Sequence, residues 1–426
     1  MVSSEQKPHP EYSRLAKDAA KDTSMEYMRN LITSVETYLK KNVADINGLF
    51  IKHDIEAVII SAVLSRFKRD EKVAVKYPSY ESVFLCNHKY YQRTRERHPL
   101  HFLYIDIDDD DVDQFIQNPM LEYPFFFKAP ELQRSLHQYV IKDCQQLKEI
   151  VSQLRIVLPK YNAETKYVNE YALDLQKYPL ASKNIMICEE FISDCLQLNW
   201  EGWVDHQGTI FTYGFTDEIL LDYGIFSDFI MPSILPDAVL SKAANICKEI
   251  LRDISFKSSF VNIELWIKKT NYDDIRIIEV NPRIASSYQN QYRSSYHGAN
   301  LYHSIIKLSM GHTDIGVIPN IQTNFTGLYS CQSVIGTRCD GKISQLLDLD
   351  KIEQEKQSRK DYNFVFYFND PEFEIVDNHQ SGGKVLMKVF FTTKTYEQAQ
   401  NESLRLKKLF LIKDNFDMTM PKIDHQ

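Results

Sequence analysis

Residues 275–283 read IRIIEVNPR, and the polar stretch TNYDD joins them to an earlier apolar run, VNIELWIKK at 261–269. Two extended runs around a polar turn predict a hairpin. Strand side chains alternate with period two, so Glu279 and Asn281 share one face while Ile278 and Val280 point to the other. With the turn centred near residues 271 and 272, Glu264 falls opposite Glu279. Two carboxylates and an amide then converge on one patch, flanked by Arg283. Like charges directly across a ladder cost roughly 0.2–1 kcal/mol, so the patch calls for a proton or a cation. Its all-oxygen donors suit a hard ion such as Mg²⁺, which keeps part of its water shell. The competing reading leaves Glu264 and Glu279 apart on an exposed face, each solvated.

The rest of the chain narrows the setting. Its 426 residues correspond to two or three domains, and 43% apolar content with 12% aromatics is ample for their cores. A net charge of −8 argues against an electrostatic grip on nucleic acid or an anionic membrane. The opening MVSSEQKPHPEYSRLAKDAAKD is polar and lacks an apolar core segment, and no run is long enough to span a bilayer. A soluble, cytoplasmic protein is expected. Seven cysteines occur with no CxxC pair, which fits free thiols rather than a disulfide framework or a zinc site.

Residues 1–24 read as a disordered tail. A short α/β region, 25–78, follows, with helices in MEYMRNLITSVETYLKK and HDIEAVIISAVLSRF and a short strand at Leu49–Ile51. The run IDIDDDDVD holds six aspartates between Asp106 and Asp113. It lacks the glycine and closing glutamate of an EF-hand, so a solvated loop is preferred to a calcium loop. From YPFFFKAP (123–130) the pattern is strand, loop, strand QYVIKD, then the helix CQQLKEIVSQLRIV (144–157). The strand IMICEEFI (185–192), the segments around EGWVDHQGTIFTYGF and the helix LSKAANICKEILRDI precede the hairpin. Beyond 312, short strands and a last helix, TYEQAQNESLRLKKLF, form an α+β extension.

NIELWI followed by IIEVNPR resembles the paired metal-binding strands of the ATP-grasp superfamily, whose second strand commonly reads E-x-N-P-R. The likeness continues upstream in order: FLCNHKYYQR with Lys89 after a short apolar strand, YPFFFKAP with Lys128, and MICEEFI with Glu189 and Glu190. GHTD after HGANLYHSIIKLSM also matches the way that fold ends. The subgroup resembled is the carbamoyl-phosphate-synthase-like and amino-acid-ligase-like set. The resemblance implies an α/β and α+β architecture: a shortened pre-ATP-grasp domain (25–78), an ATP-binding lobe (79–180), a metal- and ATP-binding lobe (181–312) and a carboxy-terminal extension (313–426).

It also implies roles. Lys89 and Lys128 would neutralise the phosphates of ATP, and the hinge of Glu189, Glu190, Phe191 and Ile192 would offer backbone groups to adenine. Glu264, Glu279 and Asn281 would hold one or two Mg²⁺ ions, with Mn²⁺ an allowed substitute. Arg283 would face the transferred phosphate or the substrate carboxylate, sharing the catalytic work with Lys128. In SSYQNQYRSSYHGAN, Gln289 and Arg293 are placed to receive an anionic substrate. The implied reaction is ATP-dependent formation of an amide from a small carboxylate and an amine, through an acyl phosphate. The implied partners are small molecules, with neither nucleic acid nor membrane, and a homodimer is allowed.

Three departures stand against this pattern. The loop APELQRSLH (129–137) has no glycine to let backbone N–H groups approach phosphates closely, leaving Arg134 and Ser135 to compensate. Leu196 stands where relatives carry a ribose-binding glutamate, with Asp194 nearby. The first region lacks the leading strand of a full doubly wound unit. These leave a nucleotide-binding pseudoenzyme as the alternative.

Overall fold

The computed structural model describes residues 25–42, 45–67, 75–109, 112–131, 138–221, 225–285, 294–316, 324–337, 339–375 and 384–412. The first region is a cluster of helices: α1 (Met25–Asn42), α2 (Asp54–Ser65), α3 (Tyr80–Asn87) and the short α4 (Lys89–Arg93). Helix α1 buries Met28, Ile32 and Leu39 along one stripe, while α2, apolar nearly all round, buries Ala57, Ile59, Ala62, Val63 and Leu64. Two expectations fail here. Leu49–Ile51 is not a strand, since the Leu49 N–H donates to Ser309 Oγ at 2.8 Å instead of to a ladder. The apolar residues Phe84, Leu85 and Cys86 belong to helix α3, whose N-cap Ser79 accepts from the Ser82 N–H. The described part of 25–78 is therefore helical, not α/β; a short apolar run fits a buried helix as well as a strand.

Next come β1 (Phe102–Asp106), α5 (Val112–Gln117), β2 (Phe125–Lys128), β3 (Gln138–Ile141), α6 (Cys144–Ala172) and β4 (Ile185–Glu190). The strands form one antiparallel sheet in the order β1-β4-β2-β3. The sequence bounds place β4 in the second lobe, 181–312, yet it is hydrogen-bonded between β1 and β2. Ile185, Met186, Ile187 and Cys188 are all buried, so the strand needs cover on both faces and takes an interior position. Helix α6 runs beyond its expected end at Val157, through Pro159. Losing one hydrogen bond there is offset by burial on either side: Leu147, Val151, Leu154 and Leu158 pack on this sheet, and Val168 packs into the core below the first helices. The acidic run is tied down by side chains, with Asp106 paired to Lys183 at 2.9 Å and Asp108 accepting from Asn184 at 2.6 Å.

The larger sheet uses β5 (Cys195–Val204), β6 (Ile210–Leu221), β7 (Ile225–Met231), β8 (Ser259–Lys268), β9 (Asn271–Asn281), β10 (Tyr329–Thr337), β11 (Asn363–Phe366) and β12 (Lys384–Thr393). Its order is β11-β12-β10-β7-β6-β5-β8-β9, and every described pairing is antiparallel. Because β10 pairs with β7, residues on both sides of position 312 belong to one sheet, and β10 and β12 are long rather than short strands. Helix α7 (Asp237–Asp253) lies across one face, and α8 (Leu301–Ser309) packs against β8. Trp200, Ile263 and Leu265 are fully buried on this sheet. Burying each contributes roughly 1.5–3 kcal/mol.

After α9 (Leu349–Ser358), the final helix α10 (Tyr396–Phe410) packs on β7, β10 and β12. Its seam holds a buried charge pair: Lys407 Nζ lies 2.7 Å from Asp228 Oδ1 and 2.9 Å from Ser333 Oγ. Removing one partner of such a pair costs about 3–5 kcal/mol, because the other charge stays buried. Lys407→Met is therefore expected to lower unfolding free energy by about 3 kcal/mol or more, and Asp228→Asn combined with Lys407→Met to lose less than Lys407→Met alone. Urea titration of the three proteins checks this order.

Candidate functional site

Strand β9 is an edge of the large sheet, and an edge leaves outward backbone groups to be satisfied. Helix α4 supplies the partners. Arg93 Nη2 donates to the Ile278 carbonyl at 2.8 Å, and the Val280 N–H donates to Gln92 Oε1 at 3.2 Å. One turn back on the same helix, Lys89 Nζ comes within 3.6 Å of Glu279 Oε2. The Lys89 N–H also donates to the Pro130 carbonyl at 2.9 Å, so the segment leaving β2 is joined to the start of α4.

Glu264 lies opposite Glu279 and Asn262 opposite Asn281. The turn, however, sits at Lys269–Thr270 rather than at 271 and 272. Two irregularities, between Ile267 and Lys268 and between Glu264 and Leu265, bring the ladder back into the expected register. Both carboxylates are half-buried. The Asn281 amide spans them, with Nδ2 at 3.2 Å from Glu279 Oε1, 3.5 Å from Glu264 Oε1 and 3.0 Å from Asn262 Oδ1. Gln197 donates to Glu264 at 3.2 Å. On β6, the buried Glu218 accepts from Asn199 at 2.5 Å, and Asn262 donates to the buried Glu201 at 2.8 Å.

These carboxyls titrate in opposite directions. Burial, then the Glu279 and Glu218 charges, push Glu264 well above the usual carboxylate range. Burial likewise raises Glu218 and Glu201 to about 8. Burial alone would raise Glu279 too, but Lys89 and Arg283 outweigh it and hold that carboxyl low. The patch thus sets one carboxyl held low by neighbouring cations beside others pushed up by burial and by one another. Two opposed carboxylates and an amide form a donor set that fits a hard divalent ion.

A second charged knot lies against the first. Arg93, fully buried, donates from Nε to Glu189 Oε1 at 2.8 Å and pairs through Nη1 with Glu96 at 2.5 Å; Lys128 Nζ sits 2.5 Å from Glu189 Oε2. Burial opposes the Glu189 charge, yet Arg93 and Lys128 prevail and hold its carboxyl at about 2.

The structure brings Lys89, Lys128, Glu189, Glu264, Glu279, Asn281 and Arg283 into one cluster of charged and polar groups between the two sheets. Glu190 turns elsewhere, its Oε1 accepting from the His101 N–H at 2.8 Å. Phe191 lies against Phe126, which stacks on Trp266, and the half-buried Ile192 follows at the end of β4. Asp194 is tied to Lys269 at 3.1 Å. Ser135, Gln289 and Arg293, with Arg134, lie outside the described residues. The polar positions Gln197, Asn199 and Glu201 alternate along β5 with the apolar Leu198 and Trp200, a period-two signal that sequence reasoning passed over. Glu218 on β6 closes the polar run Thr216-Asp217-Glu218, which carries no such alternation.

The Glu189 knot carries a pH signature. Its carboxyl falls from the ordinary 4.5 to about 2 on folding, so its stabilisation is present above pH 4.5 and is lost as pH drops towards 2. Glu189→Gln is expected to cost about 3 kcal/mol near pH 7, with the gap to the native protein closing below pH 4. Denaturant unfolding between pH 3 and pH 7 measures it.

No protein-family model matches the sequence, and no curated protein matches it. Solved structures do match in shape. An L-amino acid ligase from Bacillus licheniformis superposes with a TM-score of 0.68 at 14% identity, covering 90% of this chain and 86% of its own. An N5-carboxyaminoimidazole synthetase from Staphylococcus aureus, solved with ADP, gives 0.60 at 13% identity over 87% and 83% of the two chains. A phosphoribosylglycinamide synthetase from Anaerococcus prevotii gives 0.55 at 13% over 89% and 86%. At such identities the likeness is one of fold, and it spans the ordered motifs of the sequence: the chain has the ATP-grasp fold.

Proposed function

We propose that this protein is a Mg-ATP-dependent carboxylate–amine ligase acting on an amino-acid-like substrate. The observation that carries the reading is the Glu264–Glu279 pair, spanned by Asn281 with Lys89 3.6 Å from Glu279. The L-amino acid ligase and phosphoribosylglycinamide synthetase named above support the same class of reaction.

In this reading Glu264, Glu279 and Asn281 hold the metal, which supplies charge neutralisation at the phosphates. Lys89 and Lys128 add fixed positive charge to the same region, and the backbone of 189–192 receives the adenine. Arg283 presents a planar fork to an anion, with Gln289 and Arg293 on the substrate side. A carboxylate oxygen attacks the γ-phosphorus and ADP leaves; the amine nitrogen then attacks the acyl carbon, phosphate leaves, and the nitrogen gives up a proton. The partners are small molecules and the setting is the cytoplasm. Among the described residues, no helix is long and apolar enough to cross a membrane.

A second reading, a nucleotide-binding protein that does not turn over, draws on the glycine-free segment 129–137 and on Lys128 being paired to Glu189. Incubation with Mg-ATP and pooled amino acids separates the two. Release of inorganic phosphate that depends on the pool supports the ligase. ATP binding without phosphate release supports the second reading, and pyrophosphate release rejects acyl-phosphate chemistry. Glu279→Gln is expected to retain the fold and lower Mg-dependent turnover at least 100-fold, about 2.7 kcal/mol of transition-state stabilisation. Wild-type rates in both Glu279→Gln and Glu264→Gln would remove the metal assignment.

A further inference from the structure

The arginine that ends the E-x-N-P-R run does not stand alone in the cluster. Arg283 Nε donates to Asp54 Oδ2 at 3.0 Å, and its Nη1 donates to the neighbouring Ile284 carbonyl at 3.3 Å. Asp54 is the first residue of α2, 229 positions earlier in the chain. Its side chain keeps 9% of its surface exposed and that of Arg283 19%, so the pair is largely shielded from water. Asp54 Oδ1 is buried and has no hydrogen-bond partner among the described residues. Burial alone would weaken the Arg283 charge, but Asp54 and then Glu279 and Glu264 more than offset it.

A guanidinium held at Nε still has N–H groups on its terminal nitrogens to offer an anion, and their orientation is fixed by whatever holds Nε. A flexible arginine would lose side-chain entropy each time it gripped an anion. A carboxylate at the N-terminus of a helix is itself held well, because the first-turn N–H groups favour negative charge there.

We infer that Asp54 is a positioning residue for the reaction: the helical first region reaches the cluster through it and aims the Arg283 guanidinium at the anionic group being activated or transferred. Asp54 touches no reacting atom. This rests on the ligase reading for its consequence, though the Asp54–Arg283 bond itself does not. It assigns a task to a region whose sequence shows neither a leading strand nor a nucleotide fingerprint.

The test uses the full chain with arginine Nε labelled by ¹⁵N, the Arg283 signal being assigned by its disappearance in Arg283→Lys. In the native protein the Arg283 Nε–H is expected to exchange slowly with solvent. In Asp54→Asn that protection is expected to fall at least tenfold with the thermal midpoint little changed, and Asp54→Glu to restore part of it. In the kinetic arm, Asp54→Asn is expected to lower kcat at least tenfold while KM for ATP stays within about threefold. An Arg283 signal unmoved by Asp54→Asn overturns the inference, as does unchanged kcat in Asp54→Asn beside a large loss in Arg283→Gln. A fall in thermal stability with no change in kcat or in the Arg283 signal makes Asp54 a structural helix-terminal acid and also overturns it. Should the native protein release no phosphate from ATP with any substrate pool, the ligase reading fails, and the Arg283 signal alone decides whether Asp54 holds that guanidinium.

Discussion

Arg93 joins the two sheets. Its guanidinium, fully buried, reaches Glu189 on β4 of the small sheet and the Ile278 carbonyl on β9 of the large one. Taking such a charge out of water costs several kcal/mol unless partners meet it on every side. Here Glu189, Glu96 and a backbone carbonyl do so, and Lys128 then shares Glu189. The geometry of the cluster follows from these bonds. With Arg93 fixed on the β9 edge, Lys89 one turn away has little choice but to stand near Glu279, and Lys128 is drawn to the same corner by Glu189. A hydrophobic pairing of the same size could be as stable, but it would not bring three cations beside two opposed carboxylates.

The carboxylate pair is the counterpart of that arrangement. Glu264 and Glu279 face each other across a ladder that penalises like charges, and the fold answers with an amide from Asn281 and the nearby charge of Lys89. None of these neutralises the patch as fully as a divalent ion would. The cost of such a pair is small, roughly 0.2–1 kcal/mol, as expected where function rather than stability sets the residues.

Much of this was legible in one dimension. The hairpin and the shared face of Glu279 and Asn281 follow from period-two alternation, whereas the facing of Glu264, reasoned from a turn at 271 and 272, holds only through the irregularities of the ladder. What escaped depends on contacts between distant segments. Arg93, Arg95 and Arg97 look alike in sequence as a basic helix face; Glu189, 96 residues on, and the Ile278 carbonyl, 185 residues on, single out Arg93 for burial. Asp54 resembles any acid opening a helix until Arg283 arrives. The run IMICEE does not announce which sheet will take it, and an apolar triplet such as Leu49–Ile51 is too short to separate strand from buried coil.

The register of the hairpin shows how local errors can cancel. Counting from the true turn at Lys269–Thr270, where Lys268 faces Asn271, an unbroken ladder would set Glu264 against Ile275, with the metal face lost. The chain corrects this in two steps, and the second is written in the sequence: Ile277 and Ile278 are consecutive apolar residues in an otherwise alternating strand, so the phase of the apolar face changes there. Ile275, Ile277 and Val280 are all buried, which a regular strand could not achieve for residues of both parities. The bulge that reconciles them turns the Ile278 carbonyl outward, and that carbonyl is the acceptor Arg93 uses. One inserted residue therefore both places Glu279 opposite Glu264 and provides the anchor for the helix that carries Lys89.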